Sequence, residues 1–238
     1  MKFSQSLPLA LALLEPASAL VGVGWSVENV PEEGMKEITF PMNIANTTHV
    51  EGFYFANQFA FVNQDNVGYT GLQPQADKDG KSIVHAVFSS FNEGTTTSHE
   101  NCHDGADGGA GVSCYVNIEG TYDHTYLLNI KNTADTTWVG TLVDSVTGAK
   151  NEIGSWTLSS GAQGIQSSQL GFIEYFVGGV DECGDLPKTQ IFFGNPSSPG
   201  LSGSMGEAYE YGDCVGKSGF ETHLTEDGVE SQCGFEGK

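Results

Sequence analysis

The sequence predicts an all-β fold, a two-sheet β-sandwich of the jelly-roll or concanavalin-like kind, built as a single domain. No window of ten or more residues repeats apolar side chains at helical spacing. About ten or eleven short alternating or apolar runs have the composition of strands instead. The breaks between them are rich in Gly, Pro, Asn, Asp and Ser, the residues that turns require. With 238 residues and 38% hydrophobic side chains, one core is affordable, and no stretch in the middle reads as a linker.

Residues 1–19 read as a signal peptide. Lys2 precedes an apolar run at residues 7–14, and Ala17-Ser18-Ala19 supplies the small-x-small pattern of a cleavage site. That run is too short to cross a bilayer. The domain is then expected over residues 20–238, with no membrane insertion.

Strands are expected at residues 22–27 and 37–44, on either side of the turn Pro31-Glu32-Glu33-Gly34. Residues 50–62 alternate most clearly, with Phe53, Phe55, Phe59 and Phe61 on one face and Tyr54, Ala56, Gln58 and Ala60 on the other. Residues 82–91 read as a strand apolar on both faces, with polar loops at its two ends, an arrangement suited to holding a site on a rigid base. Further strands are expected at 126–130 and 137–143, and residues 138–158 read as a hairpin about Val146-Thr147-Gly148-Ala149. Residues 171–177 and 190–193 complete the set before a cysteine-bearing tail.

Thirty acidic residues stand against nine basic ones, all lysine, for a formal charge of -21. Without the guanidinium fork and in so negative a field, nucleic acid and phosphorylated ligands are excluded as partners, as is a nucleotide or organic cofactor anchored through phosphate. Neutral extracellular glycan or cell-wall polysaccharide, cations and basic proteins remain, and the charge favours a monomer.

Five cysteines fit an oxidising compartment. Cys102 and Cys114 enclose a glycine-rich loop and are expected to pair; Cys214 and Cys233 are the next expected pair, which leaves Cys183 odd. Asn46-Thr47-Thr48 is a glycosylation sequon, expected at the surface.

G-Y-T-G-L-Q-P at residues 68–74, K-S-I-V-H-A-V-F-S at 81–89, C-H-D-G-A-D-G-G at 102–109 and I-E-Y-F at 173–176 resemble the thirty-four-seventy-two domain-of-unknown-function family of secreted fungal and bacterial proteins, over residues 52–235. The resemblance implies an extracellular β-rich domain and no catalytic residues.

Several constellations bear on chemistry. His99-Glu100-Asn101-Cys102-His103 spells the zinc-protease pattern, but that chemistry needs a helix to bring both imidazoles to one face, and the flanking Thr, Ser and Gly oppose one. Glu100, Asp104 and Asp107, with glycines that let carbonyls turn inward, read better as oxygen ligands for structural calcium. Glu174 shares a strand face with two phenylalanines, which should raise its pKa. As a catalytic acid it would need a second carboxyl, with Glu119, Asp123 and Asp144 as the candidates. His85 is the other candidate catalytic group, on an otherwise apolar strand, with Tyr69, Gln73 and Tyr126 as ligand-binding neighbours. These features suggest a secreted glycan-binding, lectin-like protein with structural calcium. The alternatives are a glycoside hydrolase or polysaccharide lyase on the same scaffold, or a fungal effector that binds a host or competitor protein.

Overall fold

The computed structural model describes residues 18–177 and 182–238. Most of the signal-peptide reading, residues 1–17, lies outside them. Among the described residues the only helical element is a short 3-10 turn, Cys183–Asp185; everything else regular is β.

The strands, in chain order, are β1 (Ser18–Val27), β2 (Glu37–Asn43), β3 (Phe53–Ala60), β4 (Val67–Pro74), β5 (Ile83–Ser90), β6 (Cys102–Ala106), β7 (Gly109–Glu119) and β8 (Thr125–Ala134). They are followed by β9 (Thr137–Asp144), β10 (Lys150–Thr157), β11 (Ser168–Tyr175), β12 (Thr189–Gly194), β13 (Ser197–Ser198), β14 (Leu201–Glu210), β15 (Glu221–Leu224) and β16 (Gly228–Cys233).

The all-β expectation holds. Its two-sheet form is modified, because one hydrogen-bonded path runs β10-β9-β8-β2-β13-β14-β1-β11-β3-β4-β5-β7-β6, with β12, β15 and β16 attached beside β2. The path folds back on itself so that its arms share a core. Phe61 of the β3 end packs on Trp138 of β9 at 4.8 Å between ring centroids, and Phe88 of β5 stacks on Trp156 of β10 at 4.5 Å. Such aromatic contacts add to what area burial alone provides. Trp25, Trp138 and Trp156 are all buried here, so the tryptophans serve packing.

The alternation read at residues 50–62 explains the central arm. Phe53, Phe55, Phe59 and Phe61 point into the shared core, while Tyr54 and Ala56 point outward to a smaller cluster with Val87 and Phe172. β9 and β10 form the expected hairpin, with Val143 opposite Lys150. Three elements depart from the sequence reading. Residues 67–74 are a strand rather than a loop, residues 102–119 are a hairpin rather than an irregular loop, and residues 201–210 pair with β1. Glycine-rich composition conceals all three, yet Asp107-Gly108, at φ 47° and 76°, is the two-residue turn that a tight hairpin needs.

Cys102 and Cys114 are bonded, as expected from their spacing. The Cys214–Cys233 expectation is corrected: Cys183 pairs with Cys214 across 5.5 Å between Cα atoms, and Cys233 is a buried free thiol. Cys233 is held within β16, opposite Thr189 of β12, whereas Cys183, in the 3-10 turn, and Cys214, in the turn after β14, lie outside the strands and meet there. Asn46 is exposed.

Candidate functional site

The outer face of the β11-β3-β4-β5-β7 arm carries a polar row. Glu174 on β11 stands opposite Tyr54 on β3, Gln73 on β4 opposite His85 on β5, and His85 opposite Asn117 on β7. Period-two geometry puts these side chains on the face that the phenylalanines leave. All but Asn117 border a hollow of about 510 Å³, whose lining also includes Tyr69 and Asp107. Tyr69, Asp107 and Glu174 also line an adjoining hollow of about 340 Å³ on the β1 side. The two form one open groove, with those three residues at the divide.

Asp107 reaches the groove because the β6–β7 hairpin, bonded at its base by Cys102–Cys114, ends in the Asp107-Gly108 turn. Burial raises the pKa of Glu174, and the neighbouring Asp107 charge raises it further. Tyr69 is raised by burial, then by Glu174 and Asp107. Tyr54 is raised well above its ordinary value, mainly by burial. Its hydroxyl is buried with no hydrogen-bond partner, which costs roughly 1–3 kcal/mol when a donor stays unpaired. Burial lowers His85, against a hydrogen bond from its Nδ1 to Asn117 Oδ1 at 2.8 Å. Its ring stacks on Tyr115 at 5.1 Å between centroids.

Glu174, His85, Tyr69 and Gln73 are thus brought together, and Asp107 joins them from the tip of the β6–β7 hairpin. Tyr126 is not part of the groove: it is buried under a different hollow and hydrogen-bonds Thr121 O at 3.1 Å. Glu119, Asp123 and Asp144 do not line Glu174's groove. Glu119 pairs with Lys81, and Asp144 with His124 at 2.9 Å. The carboxyl that shares Glu174's groove is Asp107, and its Asp-Gly hairpin turn was the sequence signal for it.

Among the described residues, Glu100, Asp104 and Asp107 form no cluster arranged to hold a metal ion, nor does any other group of three His, Cys, Asp or Glu side chains. His99 and His103 lie on no helix; His99 Nε2 bonds Glu152 at 2.9 Å instead.

No protein-family model matches the chain, and no curated protein matches it. Among solved structures, the chain is similar to scytalido-glutamic peptidase with a transition state analog inhibitor, at 12% identity and a TM-score of 0.47 over 92% of this chain and 100% of that one. It is also similar to SCP-B, a member of the Eqolisin family of peptidases in complex with the tripeptide Ala-Ile-His, at 11% identity and a TM-score of 0.45 over 92% and 100%. These neighbours are peptidases rather than lectins or glycosidases, and the reading as a glycan-binding protein, with its glycosidase, lyase and effector alternatives, is corrected on that finding.

Proposed function

We propose that the protein is an exported hydrolase of peptide bonds that works in acid, with Glu174 and Asp107 as its carboxyl pair. The observation that carries this is the convergence of the two carboxyls, from β11 and from a hairpin tip, on the divide of one open groove. A carboxyl whose pKa is raised can serve as the acid beside a second carboxyl that serves as the base.

The chemistry balances as follows. Asp107 takes a proton from a water molecule as its oxygen bonds to the carbonyl carbon. Glu174, the half-buried member that holds its proton to higher pH, gives that proton to the amide nitrogen as the C–N bond breaks. Solvent then returns the proton from Asp107 to Glu174. The Gln73 side-chain amide borders the same hollow and offers a donor to a carbonyl oxygen that gains negative charge. Five strands about 4.8 Å apart make a groove roughly 19 Å across, room for about six extended residues.

Export is supported by the leader pattern at residues 1–19 and by the two disulfides, which persist in oxidising compartments.

The test is incubation with a diverse peptide mixture between pH 3 and 7, with products identified by mass spectrometry. Cleavage that falls off as pH rises, and that drops roughly 100-fold or more in Glu174→Gln, is expected. An uncut mixture across the range, or full activity in Glu174→Gln, would overturn the proposal.

A further inference from the structure

The hollow on the β1 side has walls unlike those around His85. Leu170, Tyr209 and Tyr211 line it together, and at 43%, 46% and 36% exposure they rank among the most exposed large apolar side chains of the described residues. Single exposed apolar residues need no explanation, but several grouped around a concavity mark a binding surface. Phe172, nearly buried, supplies more apolar lining. Tyr209 holds its place because Gly22, opposite it on β1, has no side chain: a Cβ there would meet the Tyr209 ring at 2.6 Å. Burial and the nearby Glu174 push the Tyr211 hydroxyl up to about 12.

The charge of the lining is one-sided. Glu174 and Asp107 stand at its border, and among the described residues no lysine or histidine lines it. An acidic guest would therefore meet two carboxyls without a counter-charge, whereas an apolar one would cover exposed rings.

We propose that this compartment is the specificity subsite of the groove, and that it takes a large apolar or aromatic side chain of an extended peptide and rejects an acidic one. The guest side chain sits beside the residue whose bond Glu174 and Asp107 act on, because those two carboxyls form the shared wall. The inference rests on the peptide-hydrolase reading for its adjacency to the reacting bond. Its preference for apolar over acidic guests stands on the lining alone.

Two measurements separate the two readings. In the first, a positional-scanning peptide library is cleaved by the wild type, Leu170→Ala/Tyr211→Ala and Gly22→Ala. Enrichment of Phe, Tyr or Leu over Asp and Glu at one fixed position beside the cut is expected, about 10-fold or more. That enrichment should collapse in the double variant and shift in Gly22→Ala, where Tyr209 is displaced. In the second, binding of fluorescent peptides with a non-cleavable backbone, which differ only as Phe against Asp, is followed by anisotropy in the wild type, with and without the Leu170 and Tyr211 changes. Far-ultraviolet circular dichroism confirms that each variant is folded, and a variant that fails is replaced by Leu170→Ser or Tyr211→Ser.

Cleavage without apolar enrichment overturns the subsite while the hydrolase reading stands. No cleavage, together with Phe-over-Asp binding that depends on Leu170 and Tyr211, overturns the hydrolase and supports the subsite. Equal binding of both peptides removes the subsite.

Discussion

Gly154 of β10 is the point where the hairpin that carries Asp107 is pressed against the opposite arm. A Cβ placed on Gly154 would stand 2.5 Å from Cys102 Sγ, 2.5 Å from Cys114 Cβ and 2.6 Å from Cys114 Sγ. Ordinary contact begins near 3.4 Å, so a bonded pair of sulfurs would have to retreat by close to an ångström. Overpacking of this kind costs roughly 1–3 kcal/mol. Replacing glycine recovers about 0.4–1 kcal/mol from the less free unfolded chain. The steric cost wins, and Gly154→Ala should lose about 1–2 kcal/mol. For a chain of this length that is a Tm drop of roughly 2–8 °C.

Gly24→Ala is the matched control. It is the same change in a strand, with nothing within 4 Å of the new Cβ, and it should leave Tm unchanged or slightly raised. Differential scanning calorimetry on the two variants and the wild type reads the difference. Equal Tm values for Gly154→Ala and Gly24→Ala would show that the bridge does not bear on β10 and would refute the packing argument.

Three further outcomes are expected. Glu174 has a raised pKa, so its ionised form is less stable folded than unfolded; that penalty is absent in acid, where both states are protonated, and appears as pH climbs past the usual carboxylate range. Glu174→Gln should therefore match the wild type in Tm at pH 3 and exceed it at pH 7, and equal gains at both would contradict this origin. Burial alone would raise Asp144, but the His124 ring and the backbone N–H groups of Val146 and Thr147 hold it down at about 2. Its stabilisation is present above the unfolded value of 3.8 and fades as pH falls toward 2, so Asp144→Asn should be destabilised near pH 6 and close to wild type near pH 2 in urea titrations. Burial pushes the Cys233 thiol up to about 12, so it should resist iodoacetamide in the folded protein and label once per chain in unreduced denaturant. Labelling at Cys183 or Cys214 instead would contradict the pairing.

Much of the scaffold was legible because period-two patterning is a local signal. Phe53 to Phe61 declared their faces in sequence, and Glu174 between Phe172 and Phe176 declared its apolar setting. What stayed hidden depends on contacts distant in sequence. Residues 67–74 carry Gly68 and Gly71 and looked like a loop. Their glycines are instead required by close approach, since a Cβ on Gly71 would lie 1.9 Å from Phe55 O. The partner of Glu174 could not be chosen from composition either, because in so acidic a chain only the hairpin's reach singles out Asp107 from Glu119, Asp123 and Asp144. Cysteine pairing failed for a similar reason. Separation in sequence favoured Cys233, but β16 holds it opposite Thr189 as a free thiol while Cys214 pairs with Cys183.

β1 has a consequence for how the molecule reaches this form. The strand lies between β11 and β14, paired to both, although those partners are made near the opposite end of the chain. Loop-closure entropy has to be met before such remote pairings return any stability, which makes folding slow. An early strand that waits unpaired on the ribosome, with Val21, Val23 and Trp25 uncovered, is exposed to aggregation until β11 and β14 have emerged. Recombinant yield should therefore respond to chaperones and to growth temperature more than the stability of the finished fold would suggest.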